Sequence, residues 1–371
     1  MAAAARGRKI FIYDAKLLFP TLLLVGIGVV MVYSASSALA FKKFGTEYHF
    51  LRKQAIFALL GMLALVFYVH IPYRFHRFAA YPLLGLALGS LIAVQCTNWG
   101  VSAGGSSRWL RLGEFSFQPS ELARLALIVY LAYSLDKKGE KLKDFYIGFL
   151  PHALVLGALS VFILLQPDFG SVVILGAITW IMMFVGGARL HHLIASLLVL
   201  APFLYAFMMT AEYRLKRLIS FLDPWQHSSN EGYQIIHSMM AFGTGGIWGV
   251  GIGKSYQKLF YLPEPHTDFI FSVIGEELGL VGVMAVMGLY AVIVWRGIGI
   301  ARNARDVYGS FLGFGLTAAI GLHVCVNMGV TLGLLPTKGL ALPFLSYGGT
   351  SLLINMASIG ILMNIGAARS K

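Results

Sequence analysis

The chain has 371 residues, of which 58% are hydrophobic and only 12% charged. Soluble domains carry about 25% charge, so a soluble globular class is excluded and a polytopic membrane protein is indicated. The formal net charge of +13 does not point to nucleic acid, because Lys and Arg are scattered over short loops beside apolar runs, where they suit anionic lipid headgroups.

Apolar runs near 20 residues mark bilayer spans, and ten are predicted at about 17–39, 53–71, 78–96, 120–135, 147–165, 169–187, 191–210, 269–295, 309–333 and 342–365. The expected fold is an all-α polytopic membrane protein, a single domain over residues 1–371. The basic start and Ala38-Leu-Ala40 mimic a signal peptide. The apolar run exceeds a usual h-region and nine spans follow, so it reads as the first span. Ten spans put both termini on one side. Arg6, Arg8, Lys9, Arg74, Arg77, Lys137, Lys138, Lys141, Lys143, Arg189, Arg296, Arg302, Arg305, Arg369 and Lys371 share that side, which is predicted to be cytoplasmic. Cys96 and Cys325 fall in apolar segments and read as small core residues without a disulfide framework.

The first outer loop, about 97–120, mixes aromatic, basic and small residues, and Arg108 and Trp109 suit an interfacial segment. Pro119, Ser120 and Glu121 read as a helix start. Glu121 and Arg124 share a helical face. They read either as an internal ion pair or as a carboxylate at an electropositive cavity rim. Gln166-Pro-Asp168 reads as a helix cap at an outer turn.

The second outer loop, about 211–268 between spans seven and eight, is far longer than any other, and such loops are usually functional. Arg214, Arg217 and Leu218 fit an amphipathic interfacial helix. The Gly243–Lys254 run carries six glycines. It could cradle a phosphate beside Lys254, or serve as a packing or hinge device. The loop ends in Tyr261-Leu-Pro-Glu-Pro-His-Thr-Asp-Phe-Ile-Phe-Ser-Val-Ile-Gly-Glu-Glu-Leu-Gly279. Asp268 sits at the seam with an apolar helix, with Glu276 and Glu277 about 12 Å deeper. A carboxylate at such a mouth needs a partner or a job. His323 and Asn327 lie four apart on span nine and can hydrogen-bond a neighbouring helix; no third metal ligand is obvious nearby. Leu335–Ser351 packs Pro, Gly and hydroxyls at a helix entry, and is expected to face the same outer cavity as Asp268.

Arg108-Trp109, Gln118-Pro-Ser-Glu121, Gln166-Pro-Asp-Phe-Gly170, Leu262–Phe271, Gly275-Glu-Glu-Leu-Gly279 and Leu342–Gly349 occur in this order. Together they resemble the SEDS family (shape, elongation, division and sporulation) from span one to span ten. Tyr33-Ser-Ala-Ser36, Leu222-Asp-Pro-Trp225 and Pro336-Thr-Lys-Gly339 look like its division branch more than its elongation branch. Two departures are Gly104-Gly-Ser-Ser107, where the division branch more often has Asn-Gly-Ala-Arg, and Arg124, where many members have Lys.

The resemblance implies a peptidoglycan glycosyltransferase that polymerises lipid II into β-1,4 glycan with inversion, for septal wall synthesis during cell division. Asp268 is then the candidate base, since a sugar hydroxyl needs a proton acceptor. The implied substrate-binding set is Arg108, Trp109, Gln118, Ser120, Glu121, Arg124, Arg217, Lys254, His266, Lys338, Ser346, Gly348 and Gly349. Arg108, Arg217, Lys254 and Lys338 could stabilise a diphosphate leaving group. No organic cofactor is implied; a divalent cation (Mg or Mn) could share that role, with its site unknown. The implied setting is the bacterial inner membrane at the septum, with the site on the extracytoplasmic face. Implied partners are a class B penicillin-binding protein (an FtsI-like transpeptidase) and other division membrane proteins. A lipid II transporter, which would show a polar track or inverted repeats, and a non-catalytic division scaffold remain the rival readings.

Overall fold

The computed structural model describes residues 13–97, 100–103, 106–113, 115–209, 216, 219–228, 232–259 and 261–369. Among the described residues, eleven helices with defined bounds carry the architecture. They are α1 (Ala15–Phe44), α2 (His49–His70), α3 (Phe75–Cys96), α4 (Pro119–Lys138), α5 (Leu150–Leu165), α6 (Phe169–Val185), α7 (Leu190–Met209), α8 (Tyr233–Gly245), α9 (Ile270–Arg302), α10 (Val307–Thr331) and α11 (Gly349–Arg369). Among the described residues, seven stretches are long and apolar enough to cross a membrane: α1, α2, α3, α5 with the π-helical turn Phe145–Phe149 before it, α9, α10 and α11. The shorter or more charged α4, α6 and α7 stand where the other three spans were expected. Only helices with internally satisfied backbones suit lipid, which is why apolar run length is so informative here.

Helix ends follow local chemistry. The Asp14 carboxylate caps α1 by accepting from Lys16 N–H at 3.1 Å, and Gly45 ends that helix at φ 71°. Pro119 opens α4 at its first turn. Asp306 caps α10, accepting from Gly309 N–H at 2.8 Å.

The layers are set by burial. In α11, 78% of the apolar window is buried inside the protein, against 17% in α2, so α11 is central and α2 peripheral. The helix α11 packs on α2, α9 on α1, α8 and α10, and α4 on α3 and α10. One end of the bundle is tied by charge. Arg296 pairs with Asp14 (2.7 Å), Arg74 with Asp306 (2.9 Å), and Arg77 with Asp136. Tyr73 N–H donates to Asn364 Oδ1 at 2.8 Å. The start of α1 and the end of α11 therefore lie at the same end.

Three features depart from the sequence reading. The loop before α4 folds as a three-stranded antiparallel sheet, β1 (Gly100–Ala103), β2 (Ser106–Leu112) and β3 (Phe115–Phe117), in that order. Arg111 pairs with Ser116 and Trp109 with Val101. The long loop contains α8, which buries Ile235, Ile236 and Ala241. Cys96 and Cys325 are free, as expected, but exposed rather than in the core. A lipid-facing surface is as apolar as the interior, so residue type does not separate the two.

Candidate active site

Asp268 lies one residue before the Phe269 cap of α9 and is half-buried. Its backbone is held from three directions. Asn327 on α10 donates through Nδ2 to Asp268 O (2.9 Å) and Leu340 O (2.6 Å). Ser346 Oγ donates to Thr267 O and accepts from Leu342 N–H. Tyr347 N–H donates to His266 O at 2.9 Å. The turn bearing the carboxylate is thus sewn onto segment 335–348. Gly339 makes the fit possible, because a Cβ there would lie 2.8 Å from Asp268 Oδ2. Asn327 was read only as a helix–helix contact. Its role depends on a loop carbonyl far away in sequence.

Two cations lie on segments near this turn. Arg108 on β2 donates to the carbonyls of Gln166 (Nε, 3.2 Å) and Pro167, which fastens the sheet to the turn before α6. Those acceptors are neutral, so the guanidinium charge is not cancelled. Asp168 caps α6 as expected, accepting from Ser171 Oγ at 2.6 Å. Lys338, one residue from Gly339, places Nζ 4.6 Å from the centre of the Phe169 ring. Its aliphatic stem passes Gly170, where a Cβ would sit 3.5 Å from Lys338 Cδ. Burial holds the Lys338 amine down to about 8, with Asp168 opposing the shift. Arg108, the 166–170 turn, Lys338 and Asp268 therefore form a continuous rim.

The entrance to α4 adjoins it. Gln118 N–H donates to Thr350 Oγ1 (3.1 Å), which reaches Ser116 O (3.3 Å). Ser120 is buried. Arg124 and Glu121 are 2.8 Å apart with side chains only 5% and 12% exposed. The contact is an ion pair without hydrogen-bond alignment at Glu121 Oε2. The Arg124 donors go instead to His323 Nε2 (2.8 Å) and Asn355 Oδ1 (3.1 Å). Breaking one partner of a buried pair is costlier than removing both, because it strands a charge. Glu121→Gln and Arg124→Gln are each expected to lower thermal stability more than the double variant, read as unfolding midpoints. Additive losses would mean an uncoupled pair.

The remaining expected residues divide. His266 is buried between Phe50 (ring centres 4.6 Å) and Tyr347, and burial, with Lys43 adding, pulls its pKa down to about 4, so it is neutral at pH 7. Trp109 sits half-buried on the sheet. Ser346 holds the backbone, as described. Gly349 permits close packing, since a Cβ would meet the Phe57 ring at 2.4 Å; Gly348 has more room, with its nearest atoms at 3.7 Å. Lys254 is exposed on the glycine loop. That loop is not a free cradle: Gly249 N–H donates to Gly245 O, Val250 N–H to Glu276 O and Gly251 N–H to Glu277 O. A Cβ at Gly249 would lie 2.2 Å from Glu277 O. Amides already spent on α8 and α9 cannot also wrap a phosphate, so the packing alternative is the one the structure supports. Arg217 lies outside the described residues.

Glu276 and Glu277 have partners. Glu276 accepts from Ser255 Oγ and from Tyr256 N–H (2.9 Å). Glu277 accepts from Ser34 Oγ (2.7 and 2.8 Å) and pairs with Lys258 Nζ (2.8 Å). They anchor the glycine loop to α9 and α1. Among the described residues no three His, Cys, Asp or Glu side chains converge as metal ligands.

Comparisons with known proteins agree along the whole chain. The sequence profile of the FtsW/RodA/SpoVE family, described as cell cycle proteins, matches residues 15–371. A probable peptidoglycan glycosyltransferase FtsW of Geobacter metallireducens is 47% identical over 353 residues, covering 95% of this chain and 94% of the relative. Stage V sporulation protein E of Bacillus subtilis is 40% identical over 352 residues, covering 95% and 96%. Among solved structures, a component of a peptidoglycan synthase complex that coordinates polymerization and crosslinking superposes with TM-score 0.79 at 29% identity, covering 97% of this chain and 99% of that one. The rod shape determining protein RodA of Thermus thermophilus gives 0.72 at 28% identity, covering 98% and 100%. With profile, relatives and fold in agreement over nearly its entire length, the chain belongs to the FtsW/RodA/SpoVE family.

Proposed function

We propose that this protein is a peptidoglycan glycosyltransferase that polymerises lipid II during cell division, with Asp268 as general base. The observation that carries the mechanism is the close approach of the Asp268 carboxylate to Gly339, the residue next to the cation Lys338. The acceptor sugar's 4-hydroxyl gives its proton to Asp268 as its oxygen attacks the donor's anomeric carbon. The bond from that carbon to the diphosphate oxygen breaks on the opposite face, which inverts the centre and yields a β-1,4 linkage. Undecaprenyl diphosphate leaves with its negative charge, and Lys338 and Arg108 stabilise it in a partly desolvated setting. No organic cofactor enters this scheme, and a divalent cation could share the stabilising role of Lys338 and Arg108. The names of the FtsW relatives support the reaction and its division role.

The test is glycan synthesis from lipid II by the purified protein, alone and with a class B penicillin-binding protein added. The structural relative in a peptidoglycan synthase complex supports such a partner. Other division membrane proteins would assemble around the pair at the septum.

Lys338 makes the reaction pH-dependent. Its amine is charged below about 8 in the free protein and neutral above, so attraction for the diphosphate is present at lower pH and lost as pH rises through 8. kcat/KM is expected to fall by about fivefold between pH 8 and pH 9, and Lys338→Arg, which stays charged, to remove that limb. An unchanged alkaline limb in Lys338→Arg would assign it to another group.

The rim should face the outside of the inner membrane, with both termini in the cytoplasm. In a background lacking the exposed Cys96 and Cys325, cysteines at Lys254 and Glu264 are expected to react with an impermeant thiol reagent in intact spheroplasts. A cysteine at Lys141 should react only after the membrane is opened. The reverse pattern would invert the topology and remove the site from its substrate.

A further inference from the structure

The bundle end opposite Asp268 holds a separate polar cavity. The helix α4 starts beside Gln118, at the Asp268 end, and runs 20 residues to Lys138, so segment 139–146 lies about 30 Å away. That segment and the start of α7 enclose a cavity of about 540 Å³, lined by Lys141, Lys143, Arg189 and His192 with the rings of Phe145 and Tyr146.

Two acids also line it, and one of them is ion-paired. Glu140 pairs with Lys143 at 2.6 Å. Asp144 Oδ1 accepts from Ile147 N–H at 2.9 Å, capping the turn before α5. Lys141 and Arg189 are exposed and carry no ion pair among the described residues. His192 adds an unsatisfied group, because its Nδ1 is buried without a hydrogen-bond partner. Three cations against two carboxylates leave this lining with a net positive charge, and with the orphaned ring nitrogen they describe an anion site.

The surroundings select the kind of anion. Tyr146 is 74% exposed, and Ile147, Leu190 and Ile194 are exposed beside the cavity. A soluble phosphate gains nothing from such a rim. A lipid phosphate does, because its acyl chains lie along the apolar sides of α5 and α7. We infer that this cavity holds the headgroup phosphate of an anionic phospholipid, with Lys141 and Arg189 as its charge partners and His192 as a further hydrogen-bonding group. Basic pockets between helices on the cytoplasmic side suit such headgroups. The site is independent of glycan synthesis and of Asp268.

The test uses the full chain in nanodiscs, with lipids retained after detergent extraction counted by native mass spectrometry. Phosphatidylglycerol is the anionic probe, phosphatidylethanolamine the zwitterionic one, and inorganic phosphate the soluble competitor. Phosphatidylglycerol is expected to be retained preferentially. Lys141→Gln and Arg189→Gln should each weaken retention about fivefold, and the double variant about 25-fold. Lys137→Gln, at the same end but outside the cavity, should change nothing, and unfolding midpoints in lipid-free detergent should match the parent. Equal retention of both lipids, or unchanged retention in a folded double variant, would overturn the inference. Displacement of the lipid by millimolar inorganic phosphate would also overturn it, in favour of a soluble-anion site.

Discussion

Asp268→Asn is expected to abolish glycan polymerisation while leaving the protein folded. The exchange keeps size and shape but removes the proton acceptor, and general-base catalysis contributes typically about 10²–10⁴-fold. Folding should survive because three bonds that hold this turn go to its backbone. Asn327 Nδ2 donates to Asp268 O, Ser346 Oγ to Thr267 O, and Tyr347 N–H to His266 O. None of them needs a charged carboxylate. The measurement is glycan chain formation from lipid II by the purified variant, with its unfolding midpoint and binding to the penicillin-binding protein as controls. Near-normal polymer would remove Asp268 as the base. The same variant separates enzyme from transporter and scaffold. An enzyme loses chain growth but not lipid II movement in vesicles, a transporter loses the movement, and a scaffold loses neither.

The second large effect is expected at the buried pair Lys258–Glu277, whose side chains are 6% and 0% exposed. Glu277→Gln leaves the Lys258 ammonium in a dry site with an amide and Ser34 Oγ, which lies 3.0 Å from Nζ. Lys258→Met leaves the carboxylate without its counter-charge. Removing one member of such a pair costs about 3–5 kcal/mol, whereas replacing both by well-packed apolar groups is often near neutral. The two single variants should therefore unfold well below the parent, and Lys258→Met with Glu277→Leu should recover most of the loss. Because these groups tie the glycine loop to α1 and α9, the single variants should also expose that loop to protease. A double variant as unstable as the sum of the singles would show that the charges do not compensate each other.

The distinction between Asp268 and its two acidic neighbours shows where reading the chain stops. All three stand within ten residues on one motif, and each is a carboxylate at a membrane helix. Only their partners separate them. Glu277 is satisfied by Ser34, 243 residues earlier, and by Lys258, and Glu276 by the loop at Ser255–Gln257. Asp268 stands on the turn before α9, where a Cβ at Gly339 would lie 2.8 Å from its Oδ2.

Apolar run length settled the helices, because a backbone in lipid must satisfy its own hydrogen bonds. Local chemistry settled the Asp168 cap, the Pro119 start and the Glu121–Arg124 proximity, since each needs only residues three or four apart. The family was legible because six short motifs kept their order. Tertiary structure alone decided the rest. It turned the 97–118 loop into a sheet fastened by Arg108, spent glycine-loop amides on α8 and α9, and left Cys96 and Cys325 exposed. It also placed Asn327 under the Asp268 turn. The physical reason is common to all four. Lipid and protein core are equally apolar, and a polar group's role is set by which distant donor or acceptor reaches it, which spacing along the chain does not encode.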